Sequence, residues 1–201
     1  FECRLAVVVE ANNSLQRALS ERFKQGQANK TDGQNIAFLF TGEDSSCLGM
    51  GLEFYEKEPV YQRAFDACLN EFARALYTTP SSLRDVILYK KPISSDIDYA
   101  AVAVFSFEYA LFQWWKSIDV TPNVVLGDGV GEYVAAVVSG IMSLRDGVLL
   151  AVYHSRVKND RSENKALREE FLGIAEAINY QKPMIPLISI VTGKTIEKID
   201  I

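Results

Sequence analysis

Gly127-Asp128-Gly129-Val130-Gly131 joins an apolar run, Asn123–Leu126, to a helix-like stretch, Glu132–Gly140. A strand that enters a helix through a Gly-x-X-x-Gly turn has few geometries open to it. The chain must reverse sharply, the central residue rides above the end of the sheet, and the glycines let strand and helix backbones approach closely. In a nucleophile elbow of this form the central residue is Ser, with its hydroxyl exposed. Here it is Gly129, which has no side chain. The residues that shape the turn are kept and the attacking atom is missing. The same glycines do not form a dinucleotide fingerprint, because the third comes one residue early. Asp128 and Glu132 also put acid where a helix N-terminus would otherwise attract phosphate. A Cβ-less centre relieves backbone strain once no nucleophile is needed, and Asp128 reads as a solvated or capping carboxylate.

The rest of the chain supplies the elements such a turn needs. Leu5–Val9 suits a short strand, and Asn13-Ser14 caps a helix reaching Phe23. The polar stretch Gln25–Gln34 has loop composition and marks a boundary. Ile36–Phe40 is continuously apolar, as in a strand covered on both faces. Pro59 fits the first turn of a helix running to about Tyr77, while Ser81–Pro92 reads as irregular or briefly helical. A long core helix is expected over Asp98–Lys116. Ser143 and Asp146 resemble a capping box opening another helix, and Glu163–Asn179 has the pattern of a further one. Pro186–Val191, ending at Gly193, reads as a third covered strand. Covered strands alternating with helices give an α/β fold with a largely parallel sheet.

Charge and composition narrow the partners. With 26 acidic against 21 basic residues the net charge is −5, which argues against nucleic acid or an anionic membrane surface. The longest apolar run, Tyr99–Trp115, carries Glu108 in its middle and is short for a bilayer span, so a buried helix is expected. Three cysteines (Cys3, Cys47, Cys68) without Cys-x-x-Cys spacing fit a reducing compartment, and we expect a cytoplasmic location. Cys47 has no His or Lys nearby in sequence to activate it and reads as an inert thiol. A single His argues against a His-based metal site, and no cofactor is expected. The chain begins at Phe1 rather than Met, so we expect a portion of a longer polypeptide.

Several stretches together carry a family resemblance. They are Ile36-Ala37-Phe38-Leu39-Phe40-Thr41-Gly42, Gly49-Met50-Gly51, Phe107-Glu108-Tyr109-Ala110-Leu111, Val120-Thr121-Pro122, and Gly127-x-x-Val130-Gly131-Glu132-Tyr133-Val134-Ala135-Ala136. The chain resembles the malonyl/acyl-CoA:acyl carrier protein transacylases, the acyltransferase domains of polyketide and fatty acid synthases. The resemblance implies an α/β-hydrolase-like core with a parallel sheet over residues 36–201. Residues 1–30 resemble the ketosynthase-to-acyltransferase linker, a small N-terminal α/β piece.

Each catalytic position that the resemblance implies has changed. The family elbow Gly-His-Ser-x-Gly becomes Asp128 and Gly129 at the His and Ser positions. Glu43 stands where the family has the Gln of its oxyanion hole, placing negative charge where negative charge would develop. The Gln-Pro pair of the long helix reads Ala101-Val102, and the Arg that would bind the malonyl carboxylate reads His154. Arg156, two residues on, points elsewhere on a helix. Counting back from Glu169 puts Asp160 at the general-base His, and Val157–Lys165 leaves no room for the family's ferredoxin-like small subdomain.

The resemblance therefore implies a degenerate domain of the kind found in synthases served by a free-standing acyltransferase. Its expected partners are a ketosynthase in cis, an acyl carrier protein and the separate acyltransferase. Arg156, Lys158, Arg161 and Lys165 form a local basic patch suited to an acidic partner, or an ordinary solvated helix start. Two other readings stay open: a repurposed hydrolase or decarboxylase using Asp128, Glu43 or His154, and a purely structural spacer.

Overall fold

The computed structural model describes residues 35–46, 48–91, 97–160, 162 and 164–196. The chain divides into two compact units, Phe1–Asn35 and Ile36–Ile201, and all the described elements belong to the second. The expectations for Leu5–Val9 and Asn13–Phe23, and those for Cys3, Cys47 and Arg161, lie outside the described residues.

The elements run β1 (Ala37–Phe40), a 3-10 turn (Glu43–Ser45), α1 (Leu52–Lys57), α2 (Pro59–Ala75), α3 (Pro80–Ile87) and α4 (Tyr99–Ser117). Then come β2 (Val124–Gly127), α5 (Val130–Val138), α6 (Leu144–Asn159), α7 (Lys165–Ala177), β3 (Leu187–Ile188) and β4 (Thr195–Ile196). The sheet order is β1-β2-β3-β4. The first three strands are parallel and β4 returns antiparallel to β3. This is a mixed α/β fold with a mostly parallel sheet.

Local chemistry explains where the helices begin. Pro59 and Pro80 sit in first turns, where a missing N–H costs nothing. Asp98 caps α4 by accepting from the N–H groups of Ala100 at 3.1 Å and Ala101 at 3.2 Å. Ser143 caps α6 through the Asp146 N–H at 3.2 Å, and its hydroxyl donates to the Asp146 carboxylate at 2.6 Å. Asn164 caps α7.

The core forms where α2 crosses α4. Tyr61, Phe65, Cys68, Leu69 and Phe72 make the buried stripe of α2 at helical spacing. The first half of α4 is buried almost all round, from Ala101 to Ser106, which accounts for its nearly unbroken apolar sequence. Phe72 and Phe105 meet edge to face, with ring centroids 5.4 Å apart. No helix among the described residues is long and apolar enough to cross a membrane.

Two strand expectations need correction. β1 is not covered on both faces by the described residues: Phe40 is buried, but Ala37 is exposed and Leu39 is 67% exposed. Among the described strands β1 lies at the sheet edge, and an apolar run there does not require two covering layers. The third strand is also shorter than Pro186–Val191. It pairs only over Leu187–Ile188, after which the chain turns at Gly193, whose φ is +67°. The Gly193 N–H donates to the Ser189 carbonyl at 2.8 Å, and β4 follows. Ile190 and Val191 are exposed in that turn.

Because Phe105 is fully buried against Phe72, Phe105→Ala should lower the unfolding free energy by about 3–5 kcal/mol. Urea denaturation measures this. A loss below about 1 kcal/mol would contradict the placement of the core at the α2–α4 crossing.

Candidate functional site

The expected elbow is present, and its glycines are needed for different reasons. A Cβ on Gly131 would stand 2.7 Å from the Thr41 carbonyl oxygen and closer still to that of Phe40. A Cβ on Gly127 would overlap the Gly131 carbonyl. These two positions let β1, β2 and the start of α5 touch backbone to backbone. Gly129 has φ +52° and ψ −124°, a conformation that side-chain-bearing residues adopt only under strain. The Gly131 N–H donates to the Asp128 carbonyl at 2.9 Å, and the Asp128 N–H reaches the Phe40 carbonyl at 3.0 Å.

Glu43, on the 3-10 turn after β1, reaches over this elbow. Its Oε2 lies 3.0 Å from where a Cβ on Gly129 would be. The side chain is only 14% exposed, and its Oε1 accepts from the Lys158 ammonium of α6. Burial pushes the carboxyl up. The Lys158 bond, the N–H of Glu43 itself, the Lys158 charge and the N–H of Val130 more than offset that, and hold it below its ordinary value. Glu43 is therefore a fixed anion at pH 7.

His154 lies half-buried on α6, with Nδ1 in a 2.9 Å hydrogen bond with the Tyr133 hydroxyl. Burial lowers its pKa; the Glu43 charge opposes this and Lys158 adds to it. A neutral imidazole at this position cannot supply the positive charge that would bind a carboxylate.

Glu43, Gly129, Tyr133, His154 and Lys158 thus come together. Asp128 is exposed, as expected of a solvated carboxylate. Asp160 instead organises its own loop, accepting from the Ser162 N–H at 3.0 Å, the Ser162 hydroxyl at 2.6 Å and the Asn164 N–H at 2.7 Å. The Ser162 hydroxyl and the two backbone donors hold its carboxyl below its ordinary value, unlike a general base poised near pH 7. Of the basic patch, Lys158 is bonded to Glu43, and the Arg156 guanidinium lies 5.1 Å over the Tyr153 ring. Lys165 is exposed on the first turn of α7. The five residues 160–164 are the whole connection between α6 and α7.

Two positioning carboxylates carry only weak sequence signals. Glu108 of α4 accepts from the Thr41 N–H at 2.6 Å and the Thr41 hydroxyl at 2.9 Å, anchoring the loop that carries Glu43. Its Oε2 is buried with no partner. Burial raises its carboxyl to about 7 against the opposing Thr41 bonds. Its sequence signals are a lone acid inside the Tyr99–Trp115 apolar run and a place in the Phe107–Leu111 stretch that carries the resemblance. Asp98 also accepts from the Ser155 hydroxyl and, at 3.2 Å, from the Asn159 amide, tying α4 to α6. An open depression of about 700 Å³ at the Glu43–Lys158 pair has Glu43, Asp44, Asp98 and Lys158 as the charged part of its lining. Three carboxylates against one ammonium make it a poor host for an acidic acyl group. No group of three or more His, Cys, Asp or Glu is arranged to hold a metal ion among the described residues.

Residues 37–186 match the acyl transferase domain family. The chain is 30% identical over 162 residues to orsellinic acid synthase armB of Armillaria mellea, covering 78% of this chain and 7% of that protein. It is 34% identical over 129 residues to mycoketide-CoA synthase of Mycobacterium tuberculosis, covering 63% and 3%. The fold matches the acyltransferase domain from the second module of the salinomycin polyketide synthase, with a TM-score of 0.74 at 22% identity, over 99% of this chain and 65% of that one. The chain belongs to the acyl transferase domain family, and its similarity is to the acyltransferase domains of polyketide synthases. It spans less than a tenth of the length of the curated relatives it matches, for example 7% and 8%.

Glu108 generates a testable pH dependence. Its folded pKa is raised to about 7, so its contribution to stability is fully present below the ordinary carboxyl range and is lost as pH rises through about 7. His154, whose pKa is lowered, acts in the opposite sense on the acid side. Glu108→Gln removes the first effect alone. The melting temperature of the variant relative to the parent should rise steadily between about pH 4.5 and 7 and then level off. A flat difference across that window would contradict the buried, unpartnered Oε2.

Proposed function

We propose that this chain is a non-catalytic acyltransferase-like domain of a modular polyketide synthase, supporting extender loading by a free-standing acyltransferase. The observation that carries the reading is the pairing of a well-formed elbow with a bare centre: Gly127 and Gly131 keep the turn, and Gly129 offers no hydroxyl. Acyl transfer through a covalent intermediate needs a nucleophile and an adjacent base. In this reading the base position falls at Asp160, which is bonded to its own loop, and the carboxylate-binding position at His154, whose pKa is lowered by burial; neither observation supports a working transfer site. A repurposed hydrolase or decarboxylase is not favoured. Glu43 is tied to Lys158, Asp128 is solvated, and the neighbouring depression is open to water.

In this reading residues 1–30 are the linker from a preceding ketosynthase and residues 36–201 are the degenerate core, in a cytoplasmic synthase. The domain then presents surfaces to the ketosynthase in cis, to an acyl carrier protein and to the separate acyltransferase. Of the described members of the basic patch, Lys165 is exposed and available to an acidic carrier, while Lys158 and Arg156 have internal contacts.

Two experiments test the reading. Gly129→Ser should not restore malonyl transfer, because the base, the oxyanion donor side chain and the carboxylate clamp are all absent and act as a unit. Activity should stay within about tenfold of background, and transfer at a rate near that of an active family member would contradict the reading. In the parent synthase, replacing residues 36–201 with a flexible linker should cut carrier loading by a free-standing acyltransferase at least about tenfold. Unchanged loading would make the domain a spacer.

A further inference from the structure

The elbow keeps two backbone donors that its missing nucleophile no longer needs. In folds with this turn, the N–H after the nucleophile and an N–H from the loop after a neighbouring strand bind the oxygen of an acyl group. The corresponding groups here are the N–H of Val130 and the N–H of Glu43. We propose that the Glu43 carboxylate is the built-in ligand of this cradle, held by Lys158, so that the acyl-oxygen site is filled from within by the chain itself.

Four observations point the same way. The Glu43 carboxyl is held below its ordinary value, with the N–H groups of Glu43 and Val130 among the causes that offset its burial. Its Oε1 takes the Lys158 ammonium, while Oε2 faces the elbow 3.0 Å from the Cβ that Gly129 lacks. The side chain is largely removed from water although it is charged, which is tolerable only with such partners. A side chain at 129 would meet Oε2 at a distance tighter than ordinary contact. The glycine at 129 and the acid at 43 therefore fit one another: the first makes room for the second.

The ligand class is a small carboxylate, and removing the internal one should leave a site for an external one. The titratable and charged groups around it are Lys158 and His154 of α6, Tyr133 of α5, and Asp44 beside it on the turn. Only Lys158 offers a compensating charge among them. The proposal rests on the elbow geometry and is independent of any docking role, so a failed docking experiment leaves it standing.

The test is chemical rescue. Thermal melting of the parent and of Glu43→Gly is followed in sodium formate, with sodium chloride and formamide as controls at matched ionic strength. Glu43→Gly should melt lower in chloride and recover saturably in formate, gaining about 2–4 °C at about five times the dissociation constant. The parent should not respond, and Lys158→Met in the Glu43→Gly background should remove the rescue. A formate response equal in parent and variant, or none in the variant, would overturn the proposal. A second measurement does not depend on the glycine variant folding well. Carbon-detected NMR of the parent should find Glu43 titrating below its ordinary value, rising in Lys158→Met. An ordinary midpoint in the parent, unchanged by Lys158→Met, would equally overturn it.

Discussion

Where β2 runs into α5, two backbones meet with no side chains between them. The start of α5 rests on the carbonyls of Phe40 and Thr41 at the end of β1, and Gly131 is the residue that permits it. This contact fixes the relation of β1, β2 and α5, and with it the place of everything above the sheet. Glu108 then holds Thr41 from the side of α4, so the following turn can deliver Glu43 only to the space over Gly129. Lys158, near the C-terminal end of α6, completes the arrangement from the opposite wall. Any residue larger than glycine at 131 would separate these elements, and the site would lose its geometry before its chemistry.

The electrostatics of the site run against acyl transfer. An elbow of this kind stabilises charge that appears during reaction, using donors left free beforehand. Here a permanent carboxylate occupies that place and its compensating ammonium is already committed. Partial neutralisation by Lys158 makes the arrangement tolerable in a largely buried position, as expected for an ion pair with additional backbone donors. The outcome is a site whose parts satisfy one another, and Gly129 relaxes what would otherwise be a strained centre.

Much of the fold is legible in the sequence because it is written in local signals. The cap at Ser143, the proline at 59 and the elbow glycines each act within a few residues, and each element appears where its signal stands. What is not legible depends on distant partners. Glu43 and Lys158 are 115 positions apart, and no periodicity announces that they meet. Glu108 and Thr41 are separated by 67. The covering of β1 is hidden because an apolar strand looks alike at the edge and at the centre of a sheet. The β3–β4 hairpin is hidden because Ser189 to Gly193 reads as the fraying end of a strand unless the return pairing is known. Gly129 and Glu43 are visible in the sequence as departures from the family pattern, but their fit to one another is a matter of three-dimensional distance.

The central proposal is that the elbow of this acyltransferase fold, with Gly129 at its centre, offers no group to accept an acyl chain. Incubation with malonyl-CoA followed by intact-mass measurement tests it most directly. The account expects the mass to remain that of the unmodified chain, with the coenzyme thioester consumed no faster than in buffer. One malonyl group per chain, formed at the rate of an active family member, would contradict it.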